Sequence, residues 1–172
     1  HILPLENKKV LSKGIIDRFE ILTLNTIELY ASKINALISR ATPRDLYDVN
    51  AMIENDIILD KETLRKCLIF YNMVGGEQDI DNLTFENIEK INFIKFKTQL
   101  KPTLSKNDKF DYEKAKVKVI KYLKELIKIN EKEKIFINEF RNHNYKPEIL
   151  FDSISIVNNI KSHPMALWRC KN

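Results

Sequence analysis

Five charged side chains stand within sixteen residues of one another: Lys33, Arg40, Arg44, Asp45 and Asp48, in the string K-I-N-A-L-I-S-R-A-T-P-R-D-L-Y-D. On a helix, Lys33 and Arg40 are two turns apart, about 10.5 Å along one side, so both cations can face one anionic ligand. The short Ala41-Thr42 corner then brings the N-terminus of the next helix, with Arg44, Asp45 and Asp48, near the end of the first. The structural alternative is equally concrete: Asp45 as a capping-box residue, Arg44 and Asp48 as an i, i+4 ion pair, and Lys33 in solvent.

The elements that would position these residues are helical. Only three glycines and five prolines occur in 172 residues, too little turn chemistry for a many-stranded fold, and the apolar spacing is mostly three and four. The expected class is mainly α, with one short N-terminal strand near residues 19–24. Asn25 caps a first helix with Glu28 as its capping-box partner, and Ile27, Ala31, Ile34 and Ile38 form its buried stripe to Arg40. Thr42-Pro43 starts a second helix, with Asp45 answering the cap and Leu46, Val49 and Ile53 on its apolar side.

Asp60 opens a third helix through Leu64, Leu68 and Tyr71, stopped at Gly75-Gly76, and Thr84 caps a shorter fourth that runs toward Ile94. The organisation expected is a helical segment over 1–97, a connecting loop over 98–110, and a helical segment over 111–172 packed with the first as one unit. In the last segment Asp111 caps a long helix bearing Val119, Leu123 and Leu126. Asn130 begins another with Ile135, Phe136 and Phe140, and Pro147 begins the last with Ile149, Leu150, Ile154 and Val157.

Composition narrows the function classes. The hydrophobic fraction is 44%, and no apolar run approaches the roughly 20 residues that cross a bilayer; the expectation is a cytoplasmic protein with no membrane partner. Cys67 and Cys170 are far apart without metal-ligand spacing, so two reduced thiols and no structural zinc are expected. A formal charge of +5 and a pI near 9.1 permit nucleic acid without demanding it. Nine lysines against five acids between Lys109 and Lys134 read first as a solvated helix face, and would be the backbone-binding surface if the protein acts on RNA.

The Lys33–Asp48 string resembles the signature of the AbiEii family of nucleotidyltransferase-like toxins. YKPEILF at 145–151 and HPMALW at 163–168 look like the same family's C-terminal region, with Phe151, Met165 and Trp168 explained by apolar packing. The resemblance implies a fold related to polymerase-β-type nucleotidyltransferases, whose N-terminal sheet carries a Gly-rich phosphate turn and a Mg²⁺-holding acidic pair. Neither motif is present here; Gly75-Gly76 and the EQDIDNL that follows stand in the wrong order and context.

Residue by residue, Lys33 resembles the family lysine that contacts the nucleoside triphosphate, and Asp45 the aspartate of the last active-site motif, with Asp48 a close alternative. Arg40 and Arg44 are further candidate nucleotide-binding residues, and no metal ligand is assigned. The implied function is the C-terminal portion of a toxin that transfers a nucleotide from an NTP to an acceptor such as tRNA, opposed by a cognate antitoxin with or without direct contact. Because the chain starts at His1 without a leader pattern, the expectation is that it begins inside a longer reading frame. The Mg²⁺ ligands would then lie upstream, leaving the fragment inactive alone. The competing class is a non-enzymatic helical adaptor or nucleic-acid-binding module.

Overall fold

The computed structural model describes residues 1–10, 19–75 and 78–171. The class is mainly α, as expected, with one two-stranded sheet among the described residues. Strand β1 (Glu6–Lys9) pairs antiparallel with β2 (Glu20–Thr23), Glu6 opposite Thr23 and Lys9 opposite Glu20. Thus the single strand expected near 19–24 has a partner that its own sequence, ENKK, does not announce: four polar residues carry no apolar alternation.

Helices α1 (Thr26–Arg40) and α2 (Pro43–Glu54) form an antiparallel hairpin. Asn25 caps α1 by accepting from the Ile27 amide at 2.9 Å. Glu28, however, is no capping partner. It turns inward, fully buried, and its carboxylate accepts the amides of Ile2 (2.7 Å) and Leu3 (2.9 Å) and the Tyr71 hydroxyl (2.6 Å). Long-range donors outbid the local cap because a buried carboxylate needs several partners. Ala41 ends α1 in the left-handed region with φ 48°. Thr42 and Asp45 then form the expected capping box, with Pro43 at the first helical position.

Along α1, Ala31, Ile34, Leu37 and Ile38 are buried; along α2, Leu46, Val49 and Met52. Helix α3 (Lys61–Gly75) packs on the other side of α1, and α6 (Tyr112–Leu126) packs on α2, so the row α3–α1–α2–α6 holds the core. Asp60 caps α3 through the Thr63 amide at 3.0 Å. Gly75 is the last residue of α3, while Gly76, like Gly14, lies outside the described residues.

Between α3 and α6 the single helix expected from Thr84 is broken. Helix α4 (Glu86–Glu89) is one turn, α5 (Phe93–Lys95) restarts where the Asn92 side chain accepts from Lys95 N, and a π-helical turn covers Phe96–Leu100. Ile91 is buried between the two turns, and Asn92 is extended there. Helical backbone continues to Thr103 through a 3₁₀ turn, Lys101–Thr103, so the irregular stretch is shorter than 98–110 and begins at Leu104.

The segment after α6 contains α7 (Glu131–Arg141), α8 (Pro147–Leu150), α9 (Ile154–Ile160) and α10 (Pro164–Arg169). The single last helix expected from Pro147 through Val157 is split into α8 and α9, and α10 follows. Phe151 leaves the helical region with its side chain buried, and Pro164 opens α10. Met165 and Trp168 are about half exposed, at 47% and 55%. Apolar packing explains Phe151 but not those two. Ile135 likewise faces solvent, and Ile137 takes its place in the core.

Candidate functional site at the first helix corner

The capping box and the left-handed Ala41 fold α2 back along α1, and this brings the charged string together as two bridges across the hairpin. Lys33 Nζ lies 2.5 Å from Asp48 Oδ2, with each side chain about a third exposed (34% and 39%). Arg40 grips Asp45 with both prongs of its guanidinium, Nε to Oδ2 at 2.8 Å and the second nitrogen to Oδ1 at 2.7 Å. Antiparallel packing pairs the early lysine with the late aspartate and the late arginine with the early aspartate. Lys33 and Asp45 therefore belong to different bridges.

The two aspartates are in unlike states. Asp45 is 5% exposed and also accepts from the Thr42 hydroxyl at 2.7 Å. Burial by itself raises its carboxyl pKa, but the hydrogen bonds from Arg40 and Thr42 and the charge of Arg40 prevail and hold it below the ordinary 3.8. An acid so occupied is a poor proton acceptor. Asp48 engages Lys33 through Oδ2 and also lines an open cavity.

The depressed Asp45 pKa has a measurable consequence. A carboxyl lowered on folding contributes stability that is complete above its unfolded value, about 3.9, and is lost as pH falls through the folded value. Denaturant midpoints of the parent chain and of Asp45→Asn should therefore differ at pH 6 and converge as the pH falls below 3.8 through the folded value. Equal acid slopes in the two proteins would contradict this account.

Arg44 is exposed and does not pair with Asp48, contrary to the i, i+4 expectation. Asp48 is already held by Lys33, and Arg44 Nε reaches instead to the Gln99 carbonyl at 3.3 Å. Two residues unmarked by the sequence reading complete the corner. Tyr47 donates its hydroxyl to Asp108 Oδ2 at 2.7 Å, and its ring meets Phe110 edge-on at 5.1 Å between centroids. The hydrogen bond to Asp108, then burial, then the nearby carboxylates raise the Tyr47 pKa, so the phenol stays a donor. Its place between Asp45 and Asp48 was a local signal. Asp108 had none, being sixty-one residues away.

Tyr47 and Asp108 separate two cavities. One, about 480 Å³, lies beside Arg44, Asp48, Thr103 and Ser105; the other, about 490 Å³, lies between α2 and α6 beside Asn50, Ala51, Glu54 and Ala115. A divalent cation does not fit this corner. Asp45 is saturated by Arg40 and Thr42, Asp48 is held by Lys33 and Asp108 by Tyr47, and no group of three or more His, Cys, Asp or Glu among the described residues is placed to hold a metal ion.

The lysine-rich stretch is less open than its composition implies. Lys114, Lys116, Lys118, Lys128, Lys132 and Lys134 each lie 2.5 to 3.3 Å from a carboxylate, two of which, Glu54 and Asp152, come from distant parts of the chain. Such pairs add little stability, but they weaken the field that a phosphate backbone would meet. No described helix is long and apolar enough to cross a membrane.

Comparison with known proteins places this corner in context. The family model described as "Nucleotidyl transferase AbiEii toxin, Type IV TA system" matches residues 3–129, which include α1, α2, α6 and both cavities. YKPEILF and HPMALW lie beyond the matched residues. Searches of the curated proteins and of the solved structures gave no match.

Proposed function

This chain belongs to the AbiEii family of nucleotidyltransferase toxins of type IV toxin–antitoxin systems, and from that premise we propose that its first helix corner supplies the cationic part of the transfer site. Lys33 contacts the triphosphate of the incoming NTP and offsets the charge that develops as a nucleotide passes to the acceptor. Asp48 holds the ammonium in place. The observation that carries this reading is the 2.5 Å Lys33–Asp48 bridge at the edge of an open cavity inside the family-matched region.

Asp45 has a different task in this reading. With Arg40 and Thr42 it pins the hairpin, and so sets where Lys33 meets Asp48. Arg44 spends only Nε on a carbonyl, so the remaining guanidinium nitrogens can reach phosphate oxygens from the cavity rim. The acceptor is an RNA, with tRNA the first to try, and the enzyme works in the cytoplasm opposite its antitoxin.

Nucleotidyl transfer draws on Mg²⁺ for charge neutralisation, and the carboxylates of this corner do not fit that ion. The acids that would hold it belong to a part of the toxin outside these 172 residues in this reading, and the chain alone transfers nothing. The test is incubation of each protein with labelled NTPs, Mg²⁺ and total tRNA. The complete toxin should label RNA and the 172-residue chain should not. Turnover by the chain alone that Lys33→Ala abolishes would overturn the division of the site; no labelling by either protein would sink the transferase reading.

A further inference from the structure

Between Phe93 and Phe110 there are five lysines, Lys95, Lys97, Lys101, Lys106 and Lys109, against one acid, Asp108. Five less one leaves +4 on this segment, where the whole chain carries +5. All five lysines are exposed, and among the described residues none of their ammonium groups meets a carboxylate. Asp108 is engaged by the Tyr47 hydroxyl. The contrast is with Lys114 to Lys134, where six lysines have a carboxylate partner. Like charges left uncancelled at close quarters repel one another, and an anionic partner relieves that repulsion.

The segment is anchored at both ends to α2. Arg44 Nε donates to the Gln99 carbonyl at 3.3 Å, and Tyr47 donates to Asp108 at 2.7 Å and meets the Phe110 ring. Phe96 and Leu100 are buried on the inner side of the π-helical turn, which leaves Lys95, Lys97 and Lys101 in solvent. Leu100, Thr103, Leu104 and Ser105 wall the cavity beside Arg44 and Asp48. The lysines therefore form a held surface that leads away from the helix corner.

Phe93 adds a second feature. Its side chain is 53% exposed at the head of the segment, with its ring 6.2 Å from Phe96 and 6.5 Å from Tyr112 between centroids. Behind it Phe96 and Tyr112 stack at 5.1 Å. A ring backed by other rings and open on one side is a platform for a flat group. Beside uncancelled lysines, the flat group that also brings phosphates is an unpaired base of a nucleic-acid strand. A bilayer fits less well: the apolar side of these turns, Phe96 and Leu100, is already buried, so no amphipathic helix face remains to lie in a membrane surface.

We propose that this segment holds an unpaired RNA strand, with phosphates along Lys95, Lys97, Lys101, Lys106 and Lys109 and one base on Phe93, and leads it toward the corner. That direction of travel rests on the reading that the acceptor is RNA. The surface differs from the lysine-rich helix that composition alone would choose, because charges on that helix are paired and those on this segment are not.

Binding is measured without transfer. A fluorescein-labelled oligouridine of about a dozen nucleotides, within the span that one such surface covers, is titrated with the 172-residue chain, and anisotropy is read over a series of salt concentrations. Log affinity should fall linearly with log salt, by about 0.7 per phosphate contact. The triple variant Lys95→Gln, Lys97→Gln, Lys101→Gln should flatten the slope by about 2 and weaken binding roughly 10-fold at about 0.1 M salt. At that salt, charges more than about 10 Å away are screened. The same exchange at Lys128, Lys132 and Lys134 should therefore change affinity less than about 3-fold. Phe93→Ala should weaken binding at least about 5-fold, and Phe93→Tyr should bind like the parent, a pattern that charge alone does not give. The exposed lysines keep the test valid if Phe93→Ala does not fold.

No binding at low salt overturns the proposal, as does a Lys95, Lys97 and Lys101 variant or a folded Phe93→Ala chain that binds as tightly as the parent. A chain that sediments with vesicles of phosphatidylserine and phosphatidylcholine while leaving the oligonucleotide free overturns it in favour of a membrane. RNA binding with the expected lysine dependence, in a complete toxin that labels no RNA, would support the surface and sink the transferase reading alone. Labelling of subsaturating RNA that the triple lysine variant leaves at the parent's rate would overturn the surface and spare the transferase.

Discussion

If Lys33 offsets developing charge as proposed, Lys33→Ala should lower nucleotidyl transfer by the complete toxin about 10²–10³-fold. Its melting temperature should fall by no more than about 4 °C. The side chain lies off the buried stripe of Ala31, Ile34 and Ile38, and the bridge to Asp48 is partly open to water, where such pairs contribute about 0–1 kcal/mol. Initial rates with saturating RNA and a thermal melt on the same preparation check both halves. Lys128→Ala, which removes a surface pair with Glu125, is the control and should leave the rate unchanged. A Lys33 variant as active as the parent at equal stability would remove Lys33 from the site and leave the corner a structural one.

Glu133→Ala should reverse that pattern, costing about 3–5 kcal/mol of stability with little loss of activity per folded molecule. Glu133 is 1% exposed; it closes the Asn130 capping box and accepts from Arg65 Nε on α3 at 2.9 and 3.0 Å. Removing it strips a cap and leaves Arg65, only 17% exposed, without its anion in a poorly solvated place. The pair lies partly beyond the family-matched residues, so the experiment also asks whether α7 to α10 are integral to the unit. Urea unfolding of the parent and variant measures it. A loss below about 1 kcal/mol would mean that α7 docks on α3 without help from this bridge.

The contrast between these two variants reflects where local chemistry suffices. Asn25, Thr42-Pro43, Asp60, Asp111 and Asn130 announce helix starts because a cap is satisfied within three residues by backbone amides that every helix leaves orphaned. The apolar stripes of α1, α2 and α6 follow from the helical period alone. Hence the class and the αα corner were legible from residue order, and the family match spans the stretch that holds Lys33, Arg40, Arg44, Asp45 and Asp48.

Residue order could not say which charge meets which. Lys33 to Asp48 and Arg40 to Asp45 follow from the antiparallel pairing of two helices, and that pairing denies Arg44 the i, i+4 partner its spacing offers. Local rules failed in the same way at Glu28, where a cap one turn away lost to the amides of Ile2 and Leu3 and the Tyr71 hydroxyl. The sequence by itself determined the starts of α1, α2, α3, α6 and α7 and the set of charged residues, because those depend on neighbours within about one turn. Tertiary structure alone decided the partner of each charge, the burial of Asp45 and the Tyr47–Asp108 contact that bounds both cavities. Electrostatic and hydrogen-bond energies depend on distance and desolvation, and both are set only when elements far apart in the chain have packed.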